Sequence, residues 1–567
     1  IYAGFTINLT DTAKVTVKDE EGCGMYLPGP GITNISDDVE ISSVNQGIRI
    51  AAGTLNINGG TISNNDDHDE TVDIVSGGNG GTAGTIVAGK AGSGYPSDIV
   101  INITGGTLEN EANDSDAIVV TDKNMGSDGY ADTKIEVNVS GEETNINGNV
   151  YNLSTISGTN DNDGGNVLVK IEDTTINGDI INNSKSNITA NDVTITGTVT
   201  TSSNEEDAGT VTITDSKIQG EFSAEDAKNV NLINTVIGDD SEPTTTVGEN
   251  SVTNISTGKV YEDLATAVSE AEKGQTIQLG KGTFDLGTAV LGINVEDLTL
   301  KGVGSETIIK QSTPDGQTVQ AGILVTADGV TVENLAIEKT GNGDALKFAM
   351  SADSTLKSGM VKGVTSSSEK GHALNIHGVD SMTVEDFTAT KVGKLSISIS
   401  NSQNVVIKNV KTADSPWLAD IGIMHENSVW YENASNVVLE GENEFVNEIL
   451  FYSELTEEAE NGKLDSITFG DSDKTLYKVL TEKQEDGKTV FQYVYVTEDK
   501  LEASIDDSDR TENPTGYLDV SDALKNAEDG ETIALHNTVE NLDISNAVKI
   551  DANGYKITGD VSLANGS

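Results

Sequence analysis

The side chains best suited to chemistry in this chain are few, and the clearest group is a pair of histidines. The segment GHALNIHG at 371–378 places His372 and His377 in one short apolar run. If that run is a strand, their odd separation puts the two rings on opposite faces, so they cannot share a metal ion or a proton. His372 shares its face with Leu374 and Ile376. We therefore interpret both histidines as structural.

Acidic loops form a second candidate class. The segments SNNDDHDE at 63–70 and TNDNDGGN at 159–166 are rich in oxygen ligands, which Ca²⁺ prefers. Neither segment has the twelve-residue spacing of a D-x-[DN]-x-[DN]-G loop. We interpret both as solvated loops, so we expect no cofactor and no metal ligand set, with calcium at these loops as the alternative.

A site that cleaves polysaccharide would need carboxylates for acid and base chemistry. The span 257–445 contains no Asp-Asp pair, and the two arginines of the chain, Arg49 and Arg510, lie outside it. A lysine can replace arginine as a base, so the enzyme alternative stays open. We assign no catalytic residue and expect a protein that is not an enzyme, with a degenerate polysaccharide-active site as the alternative.

One segment favours ligand binding. TADSPWLADIGIMHENSVWYENAS at 412–435 contains both tryptophans of the chain and interrupts the regular strand spacing. Aromatic rings beside carboxylates and amides suit a sugar ring or a protein surface. The predicted ligand-binding residues are Trp417, Asp420, Met424, His425, Trp430 and Tyr431. The alternative is that these rings cover the flank of the fold.

Charge and composition exclude several classes of partner. The 34 basic and 92 acidic side chains give a net charge of −58, which repels nucleic acid and anionic membranes. No apolar run approaches the ~18–20 residues of a membrane span, so no membrane insertion is expected within this chain. Aromatic residues make up only 4%, and the single cysteine, Cys23, cannot form an intrachain disulfide. The core must therefore consist of small aliphatic side chains.

The elements that position these residues are short repeated strands. Apolar residues alternate with others and are followed by Gly, Asn or Asp, as in LNING (55–59), VTITD (211–215), VTVEN (330–334) and VIKN (406–409). The alternation indicates a strand with one buried face. The closing residue types readily adopt a left-handed backbone, so a sharp turn should follow each strand.

The spacing of these strands predicts a solenoid. Ile171, Ile195, Ile213 and Leu232 lie 24, 18 and 19 residues apart. Later steps are longer, and the step of 52 from Val332 to Val384 is interpreted as two coils. A unit near 20 residues that recurs with irregular loops indicates stacked coils, each contributing strands to parallel sheets.

One longer motif occurs twice, as YEDLATAVSEAEKGQTIQL at 261–279 and YLDVSDALKNAEDGETIAL at 517–535. The apolar spacing predicts amphipathic helices over 262–272 and 519–528, each followed by a glycine and a strand. Since the first coil of a solenoid exposes strand edges and core, a helix laid across it would cover both. Each copy therefore predicts the start of a new stack of coils.

These motifs carry a resemblance. The stretch 257–445 resembles the right-handed parallel β-helices of the pectin-lyase-like superfold, through GVTVENLAI (329–337) and SQNVVIKNV (402–410). Residues 1–250 resemble the repeats of bacterial surface proteins and adhesins, through LNINGGTISNN (55–65). The superfold includes lyases, hydrolases and passive adhesins, so the resemblance implies the fold rather than the activity.

The expected fold is therefore all-β, with tandem right-handed parallel β-helices, short N-terminal capping helices and a β-hairpin segment between modules. An Asp-Gly turn within 475–498 predicts the hairpin, and 238–256 and 504–516 resemble acidic connectors. The expected domains are a first β-helix at 1–250, a second at 257–445 with its capping helix at 262–272, a capping hairpin segment and linker at 446–512, and the truncated start of a third at 513–567.

The resemblance and the charge together predict a fragment of a large secreted bacterial adhesin. It would bind a host or environmental ligand without covalent chemistry, and the expected partner is a mucosal glycoprotein, an immunoglobulin or a glycan. We expect an extracellular monomer at the cell surface, with export signal and anchor outside the fragment. The alternatives are a polysaccharide lyase or glycoside hydrolase, and a purely structural stalk.

Overall fold

The architecture was analysed in a computed structural model of the chain. The structure describes residues 5–18, 22–65, 83–89, 96–112, 116–121, 133–153, 167–184, 186–201, 209–220, 222, 229–238, 242–350, 355–416, 419–425, 437–446, 448–453, 476–485, 488–506 and 516–563. The chain divides into two compact units. The first comprises Ile1–Ser251 with Thr257–Lys259, and the second comprises Val252–Ser256 with Val260–Ser567.

The elements are almost all strands, as the sequence predicts. Those before residue 251 are β1 (Thr6–Leu9), β2 (Lys14–Thr16), β3 (Cys23–Leu27), β4 (Ile32–Ile35), β5 (Glu40–Ser43), β6 (Gln46–Ile50), β7 (Gly53–Asn64), β8 (Gly84–Ala88), β9 (Ile99–Asn110), β10 (Asp116–Thr121), β11 (Ile135–Ser140), β12 (Thr144–Asn147), β13 (Asn149–Leu153), β14 (Val167–Asn177), β15 (Ile180–Asn182), β16 (Asn187–Ile195), β17 (Val199–Thr201), β18 (Val211–Thr214), β19 (Lys217–Ile218), β20 (Val230–Ile237) and β21 (Thr244–Thr246).

The later elements include the helices of the described chain, α1 and α2, and a short 3-10 helix, η1. They are β22 (Val252–Asn254), β23 (Lys259–Tyr261), α1 (Leu264–Glu270), β24 (Thr276–Leu279), β25 (Gly282–Asp285), β26 (Leu291–Ile293), β27 (Thr299–Lys301), β28 (Thr307–Ser312), β29 (Ala321–Val325), β30 (Val330–Glu333), β31 (Ala336–Thr340), β32 (Asp344–Ala349), β33 (Gly359–Lys362), β34 (Thr365–Ser368), β35 (Leu374–His377), β36 (Met382–Glu385), β37 (Thr388–Val392), β38 (Ile397–Ser400), β39 (Val405–Lys408), β40 (Ala419–His425), β41 (Val437–Glu440), β42 (Glu448–Ser453), β43 (Leu476–Glu485), β44 (Lys488–Thr497), η1 (Glu498–Lys500), β45 (Ala503–Asp506), β46 (Gly516–Tyr517), α2 (Val520–Asn526), β47 (Thr532–Leu535), β48 (Leu542–Ile544), β49 (Lys549–Asp551) and β50 (Val561–Leu563).

The second unit is a parallel β-helix with three sheets, which we name C, D and E. The chain passes through the sheets in turn, so sheet C contains β24, β27, β30, β33, β36, β39 and β41 as successive neighbours. Sheet D contains β25, β28, β31, β34 and β37, and sheet E contains β26, β29, β32, β35, β38, β40 and β42. Every pair of neighbours in these series is parallel. The predicted solenoid is confirmed.

The first unit repeats the plan with two sheets. Sheet A contains β1, β4, β7, β9, β11, β14, β16, β18 and β20, and sheet B contains β3, β6, β8, β10, β13, β15 and β17. Isoleucine and valine from both sheets, such as Ile101 and Ile118, fill a continuous core. Because each coil brings few residues inward, small branched side chains suffice and few aromatic rings are needed.

The sharp turns also have the predicted backbone. Asp173, Asp215, Asn334, Asp386 and Asn409 all have a left-handed conformation, with φ of 49°, 49°, 54°, 52° and 53°. In the second unit these turns join sheet C to sheet D. Asn409 donates from Nδ2 to Oδ1 of Asp386 on the preceding coil, at 3.1 Å. The residues are therefore corner residues of the backbone, as the sequence indicated.

A hydrogen-bonded row of asparagines on the outer side of sheet A was not predicted. The row contains Asn8, Asn34, Asn56, Asn102 and Asn138. Each Nδ2 donates to Oδ1 of the asparagine on the preceding coil, at 2.7, 2.8, 2.8 and 3.0 Å. The row ties the coils together outside the core.

Both copies of the repeated motif form the predicted cap. Leu264, Ala267 and Val268 of α1 are buried in the core of the second unit, and Val520, Ala523 and Leu524 of α2 are buried in the same way. Each helix begins at an aspartate whose carboxylate accepts a backbone N–H, which lowers the pKa of that carboxyl group. Each is followed by a glycine with positive φ, Gly274 and Gly530.

The segments expected to be connectors contain short strands at both places. In the first, β22 pairs antiparallel with β24, the first strand of sheet C. In the second, β45 pairs antiparallel with β47 and with β46, forming with β49 a sheet that we name F. Polar residues such as Thr253 and Ser504 conceal these short strands in the sequence.

One predicted register was also wrong. Ile195 pairs with Ile176, not with Ile171, whose partner on the next coil is Ala190. A coil of sheet A carries two strand segments separated by a left-handed aspartate, and the alternation in both segments looks alike. The step from Ile171 is therefore 19 residues rather than 24.

The predicted hairpin is present as β43 and β44, in register from Leu476 with Thr497 to Glu485 with Lys488. Strand β44 also pairs antiparallel with β42, the last parallel strand of sheet E. The hairpin thus covers the edge of that sheet.

Backbone protection should differ within the second unit. We expect amides of 541–560 to exchange with deuterium much faster than those of 297–340. The reason is that the neighbouring strand β50 is exposed to solvent, with Val561 and Leu563 exposed by 50% and 67%. Leu298, Leu300 and Val332 are instead fully buried. Hydrogen exchange followed by mass spectrometry measures both segments in one sample, and equal protection would contradict this expectation.

Candidate functional site

The predicted ligand-binding residues fall mostly beyond the described ranges. Trp417, Trp430 and Tyr431 lie outside the described residues, so the structure does not test them. Asp420, Met424 and His425 belong to β40 in sheet E. The side chain of Asp420 is buried and accepts a hydrogen bond from the Thr412 hydroxyl at 2.5 Å. This hydrogen bond links β40 to the segment that precedes it.

The two histidines have different surroundings: His377 ends β35, and His372 precedes that strand, so the strand alternation does not apply to both. His372 is 5% exposed and lies beside Asp344, whose Oδ1 accepts the His372 backbone N–H at 2.9 Å. Its ring Nδ1 accepts the N–H of Leu395 at 3.2 Å. Burial lowers the pKa of His372 to about 4. His377 is half-buried, and its Nδ1 lies 2.8 Å from Oγ of Ser400.

Register places part of the predicted site near His377. Along sheet E, His377 is level with Ser400, and Ser400 is level with Met424. One position of the predicted site, Met424, therefore lies in the column that begins at His377. His377, Ser400 and Met424 lie on successive coils, so they become neighbours only through the register of sheet E.

A groove of about 540 Å³ lies on the outer side of sheet D. We name it the sheet D groove. Register explains it: the small side chains of Ala336 and Thr365 follow Ile308 in one column, and Ser367 lies between Glu338 and Lys391 in the next. Small residues flanked by long ones leave a depression across four successive strands of sheet D. Sequence inspection missed the groove because it depends on which residues neighbour one another between coils.

The rim of the groove carries both signs of charge. The Glu338 carboxylate lies 3.2 Å from the Lys310 ammonium, and Glu369 accepts the Gly341 N–H at 2.8 Å. Among the described residues Lys391 forms no ion pair, and it is exposed. The groove therefore offers hydroxyl groups, two anchored carboxylates and one accessible ammonium to a polar ligand.

A buried lysine, Lys339, supports the groove from inside. Its Nζ donates to the hydroxyl of Thr313 at 2.8 Å and to the backbone oxygens of Thr340 and Asn342, at 2.5 and 2.8 Å. These three contacts use all three ammonium protons. Burial lowers the pKa of Lys339, yet an ammonium whose protons are all donated holds a corner of the backbone and is not a free base. We assign it a structural role.

Metal binding receives no support from the described side chains. Within the described ranges, no group of three His, Cys, Asp or Glu residues lies close enough to hold an ion. The loop at 159–166 and most of the loop at 63–70 lie outside those ranges, so calcium at these loops stays an untested alternative. In the described chain, neither helix is long and apolar enough to cross a membrane.

The structure thus defines a protein of the parallel β-helix class. No protein-family model matches the sequence. No curated protein matches it. Among solved structures, the chain is similar to a pectin methylesterase variant in complex with a hexasaccharide, at 13% identity and a TM-score of 0.22, over 42% of this chain and 82% of that one. A TM-score of 0.22 supports no conclusion about function or site.

Proposed function

We propose that this protein is a cell-surface adhesin whose second unit binds a glycan non-covalently in the sheet D groove. The observation that supports this is the groove itself. Its volume of about 540 Å³ falls in the range of small-ligand sites, and its lining residues lie on four hydrogen-bonded strands of sheet D. Such a surface is pre-formed, so binding needs little ordering of the protein.

The polar part of the lining suits a sugar. Thr365, Ser367 and Thr390 bring hydroxyl groups to the groove, and Glu369 and Lys391 bring charges of both signs. Sugar hydroxyls both donate and accept hydrogen bonds, so each of these groups can form a hydrogen bond with a sugar. The net charge of −58 disfavours strongly acidic polysaccharides by long-range repulsion. Neutral or basic glycans, such as those on mucosal glycoproteins, are the ligands we propose.

Filling the groove should abolish binding. Ser367→Trp places a large ring over the floor of the groove, and we expect a loss of at least tenfold in affinity on a glycan array and in titrations with the selected glycan. The fold should persist because the Ser367 side chain faces outward. Thr383→Trp, on the outer side of sheet C, is the matched control and should bind like the wild type.

The same assay tests the segment at 412–435 that contains both tryptophans, which we name the tryptophan segment. If that segment binds the ligand instead, Trp417→Ala with Trp430→Ala removes binding while Ser367→Trp retains it. An aromatic anchor is typically worth ~2 kcal/mol or more. Equal binding by all variants would refute both sites.

The remaining alternatives give different results in parallel assays. Capture of immunoglobulin without glycan binding would favour a protein ligand, and release of reducing or unsaturated sugars would favour the enzyme. Binding to none of the glycans, mucosal glycoproteins or immunoglobulins would favour the structural stalk.

A further inference from the structure

Three polar side chains meet where sheet F begins, outside the groove and the tryptophan segment. The His536 ring lies between them: its Nε2 is 2.7 Å from Oγ of Ser504, and its Nδ1 is 2.9 Å from Oε1 of Glu498. Ser504 and His536 are 7% and 6% exposed, while the Glu498 carboxylate is half-exposed. The three residues come from β45, the end of β47 and η1.

The partners fix the direction of both hydrogen bonds. An ionised carboxylate only accepts, so Nδ1 of His536 must carry a proton and donate it to Glu498. In the neutral ring Nε2 is then an acceptor, and the Ser504 hydroxyl donates to it. This is the order of a nucleophile, a base and an orienting carboxylate.

The backbone holds the serine and the histidine firmly. Ser504 lies in the central strand of sheet F, level with Ala534 on one side and Gly516 on the other. The His536 N–H donates to the Glu502 carbonyl at 2.9 Å. Both side chains thus have fixed starting points, which favours a constant distance between hydroxyl and base.

Tyr477 and Leu501 lie near the cluster. The Tyr477 ring lies 5.3 Å from the His536 ring, and Tyr477 and Leu501 both approach Gly516, the neighbour of Ser504. Burial raises the pKa of Tyr477, with Glu498 adding to the effect, so its phenol stays neutral. A small acyl group could contact these side chains. Because the Tyr477 phenol is neutral, the His536 imidazole is the base within reach of Ser504.

We propose that Ser504 is a nucleophile toward small esters, with His536 as its base and Glu498 as the residue that positions the ring. The Ser504 oxygen forms a bond to the ester carbon while its proton passes to Nε2. The alcohol then leaves and takes that proton, and an acyl-serine remains. Water, deprotonated by the same nitrogen, releases the acid and restores the serine. This activity is independent of glycan binding.

The test uses a fluorophosphonate probe, which forms an Oγ–phosphorus bond and releases fluoride. We expect labelling of the full chain at Ser504, located by peptide mass spectrometry, and slow hydrolysis of p-nitrophenyl acetate. Ser504→Ala should abolish labelling, and His536→Gln should slow it roughly a hundredfold or more. Ser400→Ala is the matched control, because Ser400 contacts a histidine through Nδ1.

Glu498→Gln separates positioning from structure. If Glu498 orients the ring, this variant slows labelling and changes its pH profile while circular dichroism stays the same. A folded wild-type chain that is labelled nowhere, or labelled equally in Ser504→Ala, would overturn the proposal. A loss of thermal stability in the variants without any wild-type labelling would show that the cluster only holds sheet F.

Discussion

Acidification from pH 7 to pH 4 should destabilise the second unit by about 3 kcal/mol through one side chain, His372. Its ring is buried beside the core, and burial lowers its pKa in the folded protein to about 4 from the ordinary value of 6.5. The nearby charges of Lys394 and Lys347 act in the same direction, and Asp344 opposes them.

The sign follows from the two protonation states. Between pH 6.5 and pH 4 the unfolded chain binds the proton and the folded chain does not, so falling pH favours unfolding across this window. Above pH 6.5 both states are neutral at this ring and the stability is fully present. Below pH 4 both are protonated, and His372 causes no further loss.

Denaturant unfolding at pH 7, 5.5 and 4 measures the effect. His372→Asn keeps an acceptor near the Leu395 N–H but does not titrate, so its stability should change less than that of the wild type over this window. Carboxylates contribute equally to both proteins. The matched control is His377→Asn, which changes the half-buried histidine and should keep the wild-type pH dependence. Equal slopes for wild type and His372→Asn would contradict the prediction.

The variant Phe387→Ala removes one ring from the core of the second unit. We expect it to lower the free energy of unfolding by about 3–5 kcal/mol. Phe387 and Phe348 are the largest fully buried side chains among the described residues. Neighbouring coils are close: a Cβ on Gly359 would lie 2.7 Å from the Phe348 ring. Backbone hydrogen bonds to neighbouring strands hold the surrounding strands in place, so these strands cannot collapse into the vacated volume.

Thermal unfolding of the single variant measures this loss, with Phe5→Ala as the control. Phe5 is 65% exposed, so its removal should leave the melting temperature nearly unchanged. Unchanged melting of Phe387→Ala would mean that the core tolerates a cavity at this corner, contrary to the packing described.

The sequence predicted most of the fold because its signals are local. A left-handed corner at Asn334 depends on one residue type, and α1 depends on the spacing of Leu264, Ala267 and Val268. These features need no knowledge of distant partners. Even the two coils between Val332 and Val384 were predicted, and Val361 on β33 is the intermediate position.

The sites were harder to predict because their residues meet only through register. Ser504 and His536 are 32 residues apart, and the groove residues Ile308 and Thr365 lie on coils that the sequence does not align. A shift such as that of Ile195 moves every neighbour between coils. The strands in the expected connectors show the same limit, since strands of three or four residues leave little apolar pattern.

The successive strand order of sheets C, D and E has a mechanical consequence. Parallel hydrogen bonds between coils run along the stacking axis, so tension along that axis loads the outermost coil first. Val361 and Val384 on adjacent coils are 23 residues apart, and a coil of that length extends by about 75 Å when it is pulled straight. Tension along that axis would therefore lengthen the second unit one coil at a time.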